Sequence, residues 1–588
     1  MSIQAKSERA LCEITRSIRT RLQDVYGPAS ADSLFHAVER LIQRKRRTLS
    51  VSAGPRFSEK DALLITYGDT FLSPDRSPLS TLHTFLQEEA GSLFSFLHLL
   101  PFYPWTSDDG FAVTDFRQVN PSLGTWQDIQ ALGKEWKLVF DGVVNHVSSD
   151  SLYMKAYQHG DPDAEDFFIA LPPETDTRSV LRTRTLPLLH EYQTTQGPKW
   201  LWTTFGPDQI DLNFKNPKVF LEIIDVLLFY VEQGCRMIRL DAIPYLWKEL
   251  GTSCAHLPQT HQLIKLFRDI LDWVSPDILL LAEINAPWPD NVAYLGDGGD
   301  EAQLIYNFTL SPLILHALVC EDASNLTQWA SRLPPLPAGT TLLNITASHD
   351  GIGIRPTEGV LPEEARRCLT ELAVRHQGAV SGKKNSYGTV CSYELNVSYF
   401  DALNDPAVQE PQEVQVRRFM LAQLITFAFR GMPGVYIQSL IGSRNNLAGV
   451  RKTGRARTIN RRQFDLTEIQ QELGTPGHLR QSVLSEYRRL LSLRRKEKAF
   501  HPDAPQAVLD LSPSVFALKR GGLPGGEEIL ALHNVTNRTV RVDLSRYLSG
   551  ERYQDRLTGV SYARTDLCTM DLTPYQCAWL KKETLISA

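Results

Sequence analysis

From about residue 60 the chain repeats one theme: a short run of apolar or β-branched residues, a turn, then a longer stretch of helical character. Eight such runs occur, Leu63–Tyr67, Phe94–Leu100, Leu138–Val144, Met237–Leu240, Ile278–Ala282, Leu304–Phe308, Leu342–Ile345 and Gly434–Gln438. They do not alternate cleanly between apolar and polar, as expected of parallel strands covered on both faces. Eight strand–helix units in series predict an α/β fold, a (β/α)8 TIM barrel whose active face is built by the loops after the strand C-terminal ends.

The units are uneven. A bare βα unit needs only about 30 residues, yet far more chain separates the third run from the fourth and the seventh from the eighth. Both gaps therefore hold insertions on the active face, near 146–212 and near 351–430. The first is rich in Pro, Gly and aromatic residues, and the second carries the polar run Ser381–Gly388.

The barrel with these insertions is expected over 59–504. Before it, residues 1–58 form an N-terminal helical extension, because Leu34, Phe35, Val38, Leu41 and Ile42 recur at helical spacing. The following Arg44–Arg47 suits a solvated helix end, where the dipole favours cations. After it, over 505–588, short runs with partial alternation (Ile529–His533, Thr539–Leu544, Gln576–Leu580) and the loop Gly521–Gly526 predict a C-terminal antiparallel β domain.

Composition excludes several classes. With 42% hydrophobic and 22% charged residues among 588, the chain supports a large folded core and is not a disordered polymer. A formal charge of −5 gives nucleic acid no electrostatic hold. No window approaches the roughly 18 uncharged apolar residues that a membrane span needs, and charges break up any apolar centre in the first twenty residues. The eight cysteines are scattered without a C-x-x-C pair, which argues against zinc and for reduced thiols in a cytoplasmic protein. The expectation is no metal and no organic cofactor, with no nucleic-acid or membrane partner; the oligomeric state is not readable.

The chemistry lies at the strand ends. Phe140-Asp-Gly-Val-Val-Asn-His146 follows the third run, Arg239-Leu-Asp241-Ala242 the fourth, Ala282-Glu283-Ile284 the fifth and Ser348-His349-Asp350-Gly351 the seventh. A single Asp after a strand is commonly a helix cap or a turn former. Three carboxylates at one barrel mouth, with His146, Arg239 and His349 beside them, need another explanation, because crowded like charges cost stability. Glycosyl transfer with retention uses such a set: one ionised carboxylate attacks the anomeric carbon and a protonated one releases the leaving oxygen. Arg239, two residues from Asp241, suits holding that Asp ionised. Glu283 follows an apolar run whose burial would raise its pKa towards the acid role. Asp350 and the two histidines suit sugar hydroxyls and a distorted ring.

These four blocks resemble the four signature regions of the α-amylase superfamily, glycoside hydrolase family 13. The resemblance implies Asp241 as nucleophile, Glu283 as acid/base and Asp350 as transition-state stabiliser, with Arg239, His146 and His349 as assisting residues. Some members hold a calcium ion near the Asn of the third-strand block, here Asn145, so a structural cation there stays open.

A narrower resemblance is to the sucrose phosphorylase group. It is carried by His349-Asp-Gly-Ile-Gly353, Asp108-Asp-Gly-Phe111, Leu201-Trp-Thr-Thr-Phe205, Gln209-Ile-Asp211, Gly251-Thr-Ser-Cys254 and Ile459-Asn-Arg461. It implies Asp108, Phe205, Gln209, Tyr245 and Arg461 as substrate-binding positions. Arg184 and Tyr393 are implied as phosphate-site positions, with Glu394 beside them on the acceptor loop. Inorganic phosphate is then a co-substrate, and an arginine suits a phosphate oxygen pair. Within the group, the N-terminal extension, the eighth-strand stretch Val435–Asn445 and Glu394 where sucrose phosphorylases carry Gln resemble the branch acting on glucosylglycerate.

The implied reaction is phosphorolysis of a small α-glucoside to α-glucose 1-phosphate, with glycerate as the leaving acceptor. The alternatives are sucrose, sucrose 6′-phosphate or glucosylglycerol as substrate, plain α-glucosidase action, and, outside the enzymes, a sugar-binding scaffold on the same barrel. A glycerate acceptor wants a nearby cation, for which Arg184, Lys383, Lys384 and Arg355 are the candidates.

Overall fold

The computed structural model describes residues 3–45, 56–182, 184–384, 390–523 and 527–583. Its centre is a closed barrel of eight parallel strands: β1 (Leu63–Thr66), β2 (Phe96–Leu99), β3 (Lys137–Gly142), β4 (Cys235–Leu240), β5 (Leu279–Ala282), β6 (Leu304–Tyr306), β7 (Thr341–Asn344) and β8 (Met432–Tyr436). Each strand pairs with its neighbours in sequence, and β8 closes on β1 through Leu63↔Gly434, Leu64↔Val435 and Ile65↔Tyr436. Every one of the eight expected runs is a barrel strand. The side chains of β1, β2, β5, β6, β7 and β8 are buried on both faces, which is why the runs read as continuous rather than alternating.

Two N-terminal helices, α1 (Ile3–Tyr26) and α2 (Pro28–Lys45), lie against the outside of the barrel. α2 buries Leu34, Phe35, Val38 and Ile42 against α3 (Pro217–Glu232), and α1 lies on α4 (Pro258–Val274). Leu41, placed on the same face by its spacing, is half-buried. Charges rim this contact. Arg21 pairs with Asp269 at 2.9 Å and Asp300 at 3.1 Å, and Arg44 with Asp225 at 2.9 Å. The start of the basic run thus faces carboxylates of the barrel, while Arg46 and Arg47 lie outside the described residues.

The first insertion folds over the mouth as the strand pair His146–Ser148 with Gln209–Asp211 and the hairpin Leu189–Tyr192 with Lys199–Trp202. The second forms a three-stranded antiparallel sheet in which Val390–Asn396 lies between Ile352–Gly353 and Ala379–Lys384. The rest of the polar run, Asn385–Gly388, lies outside the described residues.

Beyond the barrel, β9 (Gln506–Ser512), β10 (Val515–Gly521), β11 (Glu528–Asn534), β12 (Arg552–Asp555), β13 (Ser561–Ala563) and β14 (Cys577–Lys582) form one antiparallel sheet in the order β9-β10-β11-β14-β12-β13. The expected run Thr539–Leu544 belongs to a separate two-stranded ribbon, Val540–Val542 with Met570–Leu572. Pro524, Gly525 and Gly526 of the glycine-rich loop lie outside the described residues. Two fully buried arginines donate to backbone carbonyls alone, and one of them, Arg520 of β10, ties this sheet to the barrel. Arg494 donates to the carbonyls of Phe427, Glu59 and Phe500, and Arg520 to those of Ala428, His501 and Ala504.

Candidate active site

The C-terminal ends of β4, β5 and β7 point Asp241, Glu283 and Asp350 into one cavity of about 690 Å³ counted to its mouth. Twelve of the fourteen residues singled out in the sequence line it: Asp241, Glu283, Asp350, Asp108, His146, Phe205, Gln209, Tyr245, His349, Arg184, Tyr393 and Glu394.

Arg239 and Arg461, expected as substrate-binding, stand behind the wall instead. Arg239 is buried beneath the nucleophile candidate, its Nη1 bonded to Asp141 and placed 2.9 Å from Asp241 Oδ1. Arg461 donates through Nε to the His349 carbonyl at 2.9 Å, pairs with Asp109, and brings Nη2 to 3.5 Å from Asp350. Both act on the carboxylates and their strands from outside the cavity.

Backbone geometry aims the three carboxylates. Ala242, directly after Asp241, has φ 51°, a conformation that costs a residue with a Cβ and marks functional sites. It turns its amide towards Glu283 and donates to Oε2 at 3.2 Å. The glycines after Asp350 allow close approaches. A Cβ on Gly351 would lie 2.4 Å from the Leu395 carbonyl and 2.6 Å from Glu394 Cγ, so only glycine lets the hairpin carrying Tyr393 and Glu394 reach the cavity. A Cβ on Gly353 would lie 2.8 Å from Asn285 Oδ1.

The electrostatics divide the carboxylates. Burial pushes Glu283 up to about 7, and the charges of Asp241 and Asp350 add to the rise against Arg239. Burial also raises Asp241, but Arg239 and His146 oppose the rise. Asp350 meets the same burial, yet Arg457 and Arg461 outweigh it and hold the carboxyl well below the usual range. His349 is held neutral by burial and by Arg461 and Arg239. It stacks on Phe111 at 5.0 Å between ring centroids. The result is one carboxyl, Glu283, poised to hold a proton at neutral pH beside Asp350, which is held ionised, while Asp241 is raised above its ordinary value by burial with Arg239 and His146 limiting the rise.

The donor side is tightly connected. Gln209 Nε2 reaches Asp108 Oδ2 at 3.2 Å and His146 Nε2 at 3.2 Å, and the Phe111 carbonyl is 3.0 Å from that same imidazole nitrogen. The acceptor side is aromatic and cationic. Arg184 stands over the Phe205 ring at 5.5 Å, Phe205 meets Tyr245 edge-on at 5.7 Å, and Arg355, Asn285 and His256 complete the lining.

Several functional residues carried no signal in the sequence. Arg457 holds Glu394 through two hydrogen bonds and stands 2.7 Å from Asp350. Asp141 lies within the third-strand block, and His98 of β2 contacts it at 2.8 Å. Lys248 lies between Asn145 Oδ1 at 2.9 Å and Asp211 Oδ2 at 2.7 Å, all three buried. These are the oxygens a calcium ion at Asn145 would want, and an ammonium already pairs with them, so the residues do not fit that metal. Among the described residues no group of three or more His, Cys, Asp or Glu side chains is arranged to hold a metal ion. No described helix is long and apolar enough to cross a membrane.

Comparison with known proteins bears on these features. The family model of the α-amylase catalytic domain matches residues 94–329. A glucosylglycerate phosphorylase of Allomeiothermus silvanus is 44% identical over 526 residues, covering 89% of this chain and 91% of that protein. One from Escherichia coli is 41% identical over 568 residues, covering 96% and 100%. The fold is shared with the crystal structure of a sucrose 6F-phosphate phosphorylase from Thermoanaerobacter thermosaccharolyticum, with a TM-score of 0.71 at 24% identity over 87% of this chain and 99% of that one.

Proposed function

The chain belongs to the α-amylase family, glycoside hydrolase family 13, and from that premise we propose that it is a retaining phosphorylase converting 2-O-α-glucosylglycerate and phosphate into α-glucose 1-phosphate and glycerate. The observation that carries the substrate is the match, at 41–44% identity over 88–96% of the chain, to relatives that bear this activity in their names. The carboxylate geometry supplies the chemistry.

In the first half-reaction Asp241 attacks the anomeric carbon as the bond to the glycerate oxygen breaks, and protonated Glu283 gives its proton to that oxygen. The product is a β-linked glucosyl ester of Asp241. In the second, a phosphate oxygen attacks the same carbon, its proton passes to Glu283, and the bond to Asp241 breaks, which restores the α configuration. Asp350, held ionised by Arg457, favours the positive charge that builds on the ring between the two states. Asp108, His146, Gln209 and His349 line the donor side and bind the glucosyl hydroxyls. Arg184 and Tyr393 receive phosphate.

No metal or organic cofactor enters these steps. The partners are a small sugar substrate and phosphate, with no nucleic acid and no membrane. The charged product does not cross a lipid layer unaided, which supports a cytoplasmic reaction.

The test is release of α-glucose 1-phosphate from glucosylglycerate, glucosylglycerol, sucrose and sucrose 6′-phosphate, with and without phosphate. Phosphate-dependent release from glucosylglycerate is the expected result. Free glucose formed regardless of phosphate would move the protein to the hydrolases and remove the phosphate role of Arg184 and Tyr393.

A further inference from the structure

Resting on the glucosylglycerate reading, we propose that Arg355 is the specificity-determining cation of the acceptor side, taking the carboxylate of glycerate with Asn285 and His256 beside it. In glucosylglycerate the leaving oxygen is on the carbon that bears the carboxylate. That oxygen must meet Glu283 to be protonated, so the carboxylate falls next to Glu283 on the side away from the glucosyl ring.

Arg355 stands there. It follows the glycine-containing segment after Asp350, and its Nη1 lies 3.4 Å from the carbonyl of Asn285, the second residue after Glu283. The Tyr245 side chain, raised in pKa by burial, feels the charges of both Arg355 and Glu283.

The other candidate cations are engaged elsewhere or stand off. Arg457 is held by Glu394 and Asp350. Lys383 faces Glu358 at 3.5 Å and is not in the cavity lining. The Lys384 side chain lies outside what the structure describes. Arg184 stands on the aromatic wall formed by Phe205.

Arg355 lines the cavity with 8% of its surface exposed, and among the described residues no carboxylate approaches it within the 4.0 Å of an ion pair. A buried guanidinium without a counter-charge is costly, and an anionic ligand removes the cost. The neighbours register the uncompensated charge. Burial pushes His256 down to about 4, with Arg355 adding to the fall, and burial and Arg355 lower Lys383 as well.

Two polar atoms beside Arg355 have no hydrogen-bond partner among the described residues, His256 Nε2 and Asn285 Oδ1. His256 Nδ1 is 3.0 Å from the Tyr294 hydroxyl. With that hydroxyl donating, Nε2 carries the proton and donates to the second carboxylate oxygen. Asn285 Oδ1 accepts from the terminal hydroxyl of glycerate. Arg355 and His256 thus match the carboxylate, the group that distinguishes glycerate from glycerol and from fructose, and Asn285 matches the terminal hydroxyl that glycerate shares with glycerol.

The experiment runs the reaction backwards, from α-glucose 1-phosphate onto D-glycerate or glycerol, in the wild type, R355M and R355K. In R355M the ratio of kcat/KM for glycerate to that for glycerol falls about a hundredfold, and R355K recovers part of it. Circular dichroism and melting temperature establish that each variant is folded, and R355Q gives the same reading if R355M is not. Equal losses for the two acceptors, or an unchanged preference for glycerate, overturn the role of Arg355. A wild type that does not transfer to glycerate overturns the glucosylglycerate reading itself, and the role of Arg355 with it. The two failures are therefore told apart by the unmutated enzyme.

Discussion

Arg457 grips Glu394 with two parallel hydrogen bonds, Nε to Oε1 at 3.0 Å and Nη2 to Oε2 at 2.7 Å, while its remaining terminal nitrogen stands 2.7 Å from Asp350. One guanidinium therefore locks the strand carrying Tyr393 and Glu394 to the carboxylate of Asp350. Asp350 owes its low pKa first to this arginine among its neighbours, and Glu394 is left 1% exposed by it.

R457K keeps the charge and loses the fork, because an ammonium is a point charge and cannot hold a carboxylate at two oxygens. R457A leaves Glu394 buried and unpaired, at a cost of about 3–5 kcal/mol of stability. Thermal melts and kcat/KM for glucosylglycerate should rank wild type, R457K and R457A in that order on both scales. An R457A that matches the wild type in both would dismiss the link.

The acid role proposed for Glu283 sets a pH limb. Its protonated form is needed to release glycerate, and its pKa lies at about 7. Activity is thus present below that pH and declines above it, so kcat/KM for phosphorolysis falls on the alkaline side of about 7. Removing the Asp241 charge in D241N should lower the Glu283 pKa, read by carboxyl NMR titration in that variant. A titration unmoved by D241N would detach the two groups.

Asp241 is the position whose loss the chemistry cannot absorb. D241A should fold, with a melting temperature near that of the wild type, and lack turnover. Measurable phosphorolysis in purified D241A would exclude the covalent route.

Lys248 pairs with Asn145 and Asp211 in the wall that carries His146. K248M should strand Asp211 and Asn145 without a cation and cost about 3–5 kcal/mol, visible as a lower melting temperature. Chelators should leave the wild type unchanged in both melting and activity. Loss of stability in EDTA would restore a metal to this place.

Arg520 joins the sheet to the barrel by carbonyl contacts alone. R520M keeps much of the volume but leaves those buried carbonyls without a donor, each worth about 1–3 kcal/mol when orphaned. Denaturant melts should show the loss, and proteolysis should cut earlier near 500–505. A variant as stable as the wild type would mean that water replaces the guanidinium.

The eight barrel strands were legible in the sequence because a strand buried on both faces must be apolar along its whole length, and that demand is local. The three carboxylates were legible for a related reason: Asp241 and Glu283 follow directly on β4 and β5, and Asp350 lies in the short segment after β7, so finding the strand end finds the residue. The same locality placed α2 from its apolar spacing and placed the two insertions from their length. Periodicity says nothing about pairs brought together from afar. Arg457 and Glu394 are 63 residues apart, and Lys248 and Asn145 103 apart. A charge inside a folded protein must find its partner wherever the chain leads, so its role is written in the tertiary contact and not in its neighbours along the sequence. Arg239 and Arg461 illustrate the difference: one stood two residues from Asp241 and the other was marked only by a resemblance, and only the fold decided that both stand behind the wall and not in the cavity.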